Sequence, residues 1–205
     1  MVTLRKCLAA LAISVVFAGP VLADPSEDAT NGFNAETKGD FATALRLYRL
    51  SALAGNPYGQ GNLANMLRAG RGTPKDLPEA LRWYNKAAEQ NFPDSQYNLG
   101  NMYELGEGVK QDFAKAFEWY RKGAEQGYVP AESALGTMYA AGNGVKQPDL
   151  VQAYFWYSLA AAGKDPMATR RMGTLGQRLK PEEKAKAEQM AKDFKPKDMM
   201  AKPKS

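Results

Sequence analysis

Tyr97-Asn98-Leu99-Gly100-Asn101-Met102-Tyr103-Glu104-Leu105-Gly106-Glu107-Gly108-Val109 is echoed on both sides of itself. Upstream the echo is Leu63-x-x-Met66 followed by Gly70 and Gly72. Downstream it is Leu135-Gly136-x-Met138-Tyr139 followed by Gly142 and Gly144. A second landmark runs in step: Ala44-Leu45-Arg46-Leu47-Tyr48, Ala80-Leu81-Arg82-Trp83-Tyr84, Ala116-Phe117-Glu118-Trp119-Tyr120 and Ala153-Tyr154-Phe155-Trp156-Tyr157. Its alanines are 36, 36 and 37 residues apart, and Pro148, without an earlier counterpart, accounts for the extra residue. Several landmarks sharing one period mean an array of like units.

Each unit reads as two helices. Between Asp112 and Gln126 the apolar residues Phe113, Ala116, Phe117, Tyr120 and Ala124 recur at helical spacing, with Trp119 at the edge of the stripe. Asp112 suits the N-cap and Gly127 the stop, and Asp40, Asp76 and Asp149 open the sister helices. The alternate helices start near Pro57, Pro93, Pro130 and Pro166, where a missing N–H costs nothing, and end at the glycine pairs. Gly100 and Gly136 lie inside these helices, where glycine is locally unfavourable, so bare backbone there is expected to let a neighbouring helix come close. Tyr103 and Tyr139 are expected to fill the space beside them. A pair this small cannot bury its stripe alone, whereas stacked pairs share one core.

Outward from the array, residues 27–38 supply an N-terminal helix. In steps of 36, Arg171 falls where Leu135 stood and Gly173 where Thr137 stood, so the pattern reads as decaying after Ala162. A polar capping helix follows over 181–194, and the Lys/Pro/Met-rich residues 195–205 read as a disordered tail. The units are expected at about 40–75, 76–111, 112–148 and 149–180, within a solenoid spanning 24–194 and built of ten helices.

Residues 1–23 read as an export signal. Arg5 and Lys6 precede an apolar run from Leu8 to Phe17, Gly19 and Pro20 break it, and Val21-Leu22-Ala23 offers a cleavage site before Asp24. The alternative is a retained anchor, although the run is short for a span and no later stretch reaches about 20 apolar residues. Periplasmic or secreted localisation follows. Cleavage leaves 25 basic and 22 acidic residues and no cysteine, so no disulfide contributes and packing must stabilise the chain. A balance this mild does not suit a nucleic-acid reader. With no histidine, the commonest general base and transition-metal ligand is missing. No catalytic residue, metal ligand or cofactor-binding residue is expected. Glycine pairs without a following Lys-Ser/Thr are turns rather than phosphate cradles.

Trp-Tyr-x-Lys-x-Ala-Glu-Gln at 83–90, its counterpart at 119–126 with Gly123 before the alanine, and the stretch 97–109 resemble Sel1-like repeats, a branch of the tetratricopeptide superfamily. The resemblance covers roughly 40–194. The first unit departs from it, with Ala64 for the motif glycine and Leu67 for the tyrosine. It implies an all-α fold: an α/α solenoid of helix-turn-helix repeats in a right-handed superhelix. It also implies a scaffold or adaptor role, with exported bacterial members resembling partners of envelope proteins, including signalling receptors. Cysteine-rich secreted relatives are linked to β-lactam binding or hydrolysis. This chain lacks their cysteines and any Ser-x-x-Lys signature, so a cell-envelope hydrolase or β-lactam-binding enzyme is the weaker alternative.

A partner-binding groove is expected on the proline-started helices. Tyr58, Asn65 and Arg68 in one unit, Asp94, Tyr97, Asn101 and Glu104 in the next, and Thr137 in the third face away from the buried side. An amide can pair with both N–H and C=O of an extended peptide, and tyrosine offers flat amphipathic area. Lysines that hold acidic C-termini in some superfamily members have no match at Gly61, Tyr97 and Ser133. The expected partner is a protein or peptide of the cell envelope, with no nucleic acid and no membrane span after signal cleavage. A structural spacer without a client is the third reading.

Overall fold

The computed structural model describes residues 24–197, which form ten helices: α1 (Pro25–Thr37), α2 (Phe41–Leu53), α3 (Pro57–Ala69), α4 (Leu77–Glu89), α5 (Pro93–Leu105), α6 (Phe113–Glu125), α7 (Val129–Ala141), α8 (Leu150–Ala162), α9 (Pro166–Gly176) and α10 (Pro181–Asp193). Among the described residues there is no strand, and no helix is long and apolar enough to cross a membrane. The export signal read at 1–23 lies outside the described residues, as do residues 198–205 of the tail. Each helix from α1 to α8 packs on its successor, and α10 turns back onto α8. The fold is an all-α repeat array.

Local chemistry sets the helix ends. The carboxylates of Asp40, Asp76, Asp112 and Asp149 accept the backbone N–H three residues on, at 3.0, 2.8, 3.0 and 2.9 Å. Each satisfies a donor that the first turn leaves orphaned. Helices α3, α5 and α7 end on Gly70, Gly106 and Gly142, at φ 69°, 69° and 78°. The turns back to the next proline-started helix also use a positive φ: Gly55 and Gly127 fill two of them, but Asn91 (62°) and Lys164 (67°) fill the others. Asparagine tolerates that region; lysine adopts it against a steric cost.

Buried side chains form two clusters, one over α2–α5 and one over α6–α10, which meet where α5 packs on α6. Trp119 of α6 packs against the first cluster, while Tyr97 and Tyr103 of α5 pack against the second. The repeating elements are Tyr48, Tyr84 and Tyr120, wholly buried, and Tyr157, nearly so. Their rings, not those of Tyr103 and Tyr139, occupy the space over the helical glycines. A Cβ on Gly32 would come 2.8 Å from the Tyr48 ring and one on Gly136 2.7 Å from Tyr157, and Gly100 is closer still to Tyr120. Tyr139 instead meets Phe117 edge-on at 5.2 Å, and Lys115 lies 5.2 Å over the Tyr103 ring. The reason is geometric: the glycine faces the partner helix, and the partner's tyrosine ring already fills the space over it, which leaves none there for Tyr103 or Tyr139.

A glutamine ladder runs beside the tyrosines. Gln60 and Gln96 donate to the carbonyls of Ala52 and Ala88 at 3.3 and 3.2 Å, and each accepts from a glutamine of the next pair, Gln90 at 2.8 Å and Gln126 at 2.7 Å. The next rung is Glu132, only 4% exposed, whose carboxyl makes no hydrogen bond or ion pair among the described residues. Gly163 stands where Gln126 stood one pair earlier, so no side chain reaches Glu132 from that side.

Two readings need correction. Helix α9 begins 37 residues after α7, not 36, so Met172, Gly173 and Leu175 take the places of Leu135, Gly136 and Met138, and Arg171 takes that of Ala134. The pattern therefore continues through α9. The second concerns the stretch read as a tail from 195. Lys197 donates its N–H to the Glu125 carbonyl at 2.8 Å and its ammonium to the Glu125 carboxylate at 2.7 Å. Pro196 lies over Gly127, and Phe194 meets Phe155 and Trp156 edge-on at 5.9 and 5.7 Å. The aromatic anchor and the carboxylate hold residues that composition alone gives no reason to order.

Candidate functional site

Clefts open along the row of proline-started helices. One of them joins α5, α7 and α9, where a hollow of about 370 Å³ is lined by Tyr97, Asn101, Glu104, Thr137, Met167 and Arg171, among others. Four of the eight expected groove residues thus meet in one place. Tyr58 lies apart, in a cleft of about 360 Å³ between α1 and α3 that also includes Ala29, Phe33 and Asn62. Phe33 and Tyr58 are 57% and 52% exposed, and the Tyr58 ring stands edge-on to Phe92 at 4.7 Å. Asn65 and Arg68 line a third hollow with Tyr84 and Glu107. Asp94 lines none of these and is tied down instead, accepting from the Tyr128 hydroxyl at 2.8 Å and from Asn98 Nδ2 at 3.1 Å.

Most of the polar groups on this row already have a structural partner. The Tyr84 hydroxyl donates to Asn65 Oδ1 and the Tyr157 hydroxyl to Thr137 Oγ1 at 3.1 Å. Tyr120 reaches both Asn101 Oδ1 at 2.7 Å and Glu104 Oε2 at 2.6 Å. A hydroxyl has one hydrogen to give, and the carboxylate is the stronger acceptor. Burial, reinforced by Glu104, raises the Tyr120 hydroxyl far above the ordinary phenol range, so it stays a neutral donor. The tyrosine that fills the glycine seat therefore also fixes the side chain on the open face beside it. Arg68 is closed off as well: its guanidinium pairs with Glu107 at 2.7 Å and donates to Asn98 Oδ1 at 3.3 Å. Tyr97, half-buried, rests against Tyr120 and Tyr128 with centroids 5.7 and 5.9 Å away and turns its remaining surface to the cleft.

Sequence reasoning missed the α9 wall. Asp165, Met167 and Arg171 line the central cleft. Arg171 Nη1 donates to Thr137 Oγ1 at 2.7 Å, and its guanidinium carbon sits 5.9 Å from the Tyr157 ring centroid. Counting in steps of 36 put Arg171 at a core position; allowing for the Pro148 insertion puts it on the open face. Burial works against the charge of Asp165, yet the N–H groups of Ala168 and Met167, the Ser133 hydroxyl and the nearby Arg171 together hold its carboxyl below the usual aspartate value. The arrangement can hold an extended chain through amide, hydroxyl and guanidinium groups between aromatic walls. Among the described residues no group of three or more His, Cys, Asp or Glu could hold a metal ion.

The model of the Sel1 repeat matches residues 31–56, 57–92, 93–128 and 129–165. The last three of these units begin with α3, α5 and α7, half a unit out of phase with boundaries drawn from the aspartate caps but with the same period. A solved Sel1 repeat protein from Oxalobacter formigenes is 35% identical, with a TM-score of 0.58, over 62% of this chain and 95% of that one. A protective antigen present in uropathogenic Escherichia coli strains and displaying an SLR fold is 27% identical, with a TM-score of 0.52, over 89% of this chain. This chain spans about half of that protein, 49%. A Sel1 repeat protein from Klebsiella pneumoniae subsp. pneumoniae shares the fold at 21% identity and a TM-score of 0.50, over 75% of this chain and 78% of its own length. Comparison with curated proteins gives no match.

Proposed function

The chain belongs to the Sel1 repeat family, and on that premise we propose that it is an exported scaffold or adaptor that binds a partner protein along the open row α3–α5–α7–α9. Proteins of this family generally mediate protein–protein interaction, and the repeat scaffold is generally non-catalytic. The carrying observation is the cleft shared by α5, α7 and α9, where four expected contact residues meet Met167 and Arg171 from a helix two units beyond α5. Export rests on Arg5, Lys6, the apolar run 8–17 and the Val21-Leu22-Ala23 site, and places the partner in the cell envelope, where a regulated signalling or assembly protein fits.

Photocrosslinking in intact cells tests this. A photoreactive residue at Tyr58 or Met167, both exposed on the open row, is expected to trap one envelope protein. The same residue at Arg82 or Glu118, exposed on the other row, is expected to trap none. Equal capture from both rows, or cytoplasmic partners alone, contradicts the proposal.

A further inference from the structure

We infer that the α7–α9 end of the row is an anion-binding subsite for a carboxylate-rich peptide segment, gripped by Arg170, Arg171 and Arg178. This rests on the groove reading above and adds the chemistry of its ligand. A hollow of about 280 Å³ lies between Ala140 and Tyr157 on one side and Thr174, Leu175 and the three arginines on the other. Arg171 lines both this hollow and the central cleft, so it joins them. It is partly buried and fixed by Thr137 and the Tyr157 ring, yet it forms no ion pair among the described residues. One of its five N–H donors is engaged by that bond, which leaves the guanidinium fork free for a carboxylate.

The neighbourhood strengthens this reading. Arg170 and Arg178 are exposed and also form no ion pair among the described residues, and α9 itself carries no acid. Arg68, on the same row, shows the contrast: Glu107 neutralises it from within the chain at 2.7 Å. The one carboxylate beside Arg171 is Asp165, committed to the N–H groups of Met167 at 2.7 Å and Ala168 at 3.0 Å. Three arginines against that one aspartate leave a positive mouth. Across the central cleft Glu104 repels an anion from the α5 side, so the acidic end of the ligand belongs at α9.

Spacing makes the inference specific. Arg171 stands in α9 and Arg178 in the turn just past its last residue, Gly176, so about 1.5 Å per residue over the helical part and more over the turn separates them by on the order of 10 Å. An extended peptide advances about 3.3 Å per residue, so acids about three residues apart match the two guanidinium groups. The expected ligand therefore carries Glu-x-x-Glu or its aspartate equivalents. A guanidinium also binds phosphate, but a hollow walled by α7, α8 and α9 suits a chain laid along it better than a membrane surface.

The test uses the full mature chain and a dye-labelled peptide with a Glu-Ala-Ala-Glu core, against the same peptide with Gln-Ala-Ala-Gln. The acidic peptide is expected to bind at least about tenfold more tightly, and Arg170→Ala/Arg178→Ala to remove about that factor. Both changes are at exposed positions, and thermal melting checks that the fold is kept. Equal binding of the two peptides, no binding of either, or unchanged affinity in the double variant overturns the inference. So does displacement by an equal concentration of inorganic phosphate, or preferential capture by anionic lipid vesicles. If crosslinking from Tyr58 and Met167 persists while the acidic peptide fails, the groove stands and only its preference for acid falls; if both fail, the groove reading falls with it.

Discussion

At the residue scale, the pairing of a small residue with a tyrosine decides how closely helices approach. Gly100→Ala would drive a methyl into the Tyr120 ring, whereas a Cβ on Gly173, at the equivalent place in α9, meets nothing within 4 Å. We expect Gly100→Ala to cost about 1–3 kcal/mol by overpacking. Gly173→Ala is expected to gain about 0.5–1 kcal/mol from helix propensity. Denaturant midpoints of the two variants check both signs. Ala64 already occupies the seat that matches the wholly buried Tyr84, so the α3–α4 interface is spaced for a methyl. Glu132 supplies a second test. Burial, with no compensating partner, raises its carboxyl from 4.5 to about 7. The folded state then holds a proton that the unfolded chain releases, so this group's contribution to stability is intact below about pH 4.5 and is lost as pH rises to about 7. Glu132→Gln restores the rung seen at Gln60 and Gln96. Its melting temperature is expected to exceed the parent's by a margin that widens from pH 4.5 to pH 7 and then levels off. A margin independent of pH would show that Glu132 is not held protonated.

At the element scale, punctuation was legible because it is local. Asp40, Asp76, Asp112 and Asp149 announced their helices, and each carboxylate makes the expected bond. Asp112→Ala is expected to cost about 1 kcal/mol, read as a lowered denaturant midpoint. The turn at Lys164 was not legible. Its φ of 67° follows from the position it shares with Gly55, Asn91 and Gly127, and a lysine in sequence gives no sign of it. Lys164→Gly should therefore stabilise by up to about 1 kcal/mol, and a loss in the same denaturation assay would contradict that account. Much of the candidate site was hidden for a similar reason. Tyr97, Asn101, Glu104 and Thr137 could be placed on one face by helical spacing. The hydroxyls of Tyr120 and Tyr157 that fasten Glu104 and Thr137 lie 16 and 20 residues away on neighbouring helices, through packing that spacing does not encode. Arg171 was missed because one inserted residue, Pro148, shifts the register of everything after it.

At the scale of the whole molecule, the period and the all-helical class were legible because every unit repeats the same demand to share its apolar stripe. The phase of the units, the break between the two core clusters and the return of Phe194–Lys197 onto α6 and α8 were not, since they depend on how the stack ends. Because each pair relies on its neighbours, residues 93–128 alone are expected to give a largely unfolded circular dichroism spectrum. A stable isolated unit would remove the physical basis of the array. The most direct test of the groove is amide hydrogen exchange on the mature protein, alone and with the partner trapped from Met167. The account predicts that protection gained on binding concentrates in α5, α7 and α9; gains confined to α4, α6 and α8 would contradict it.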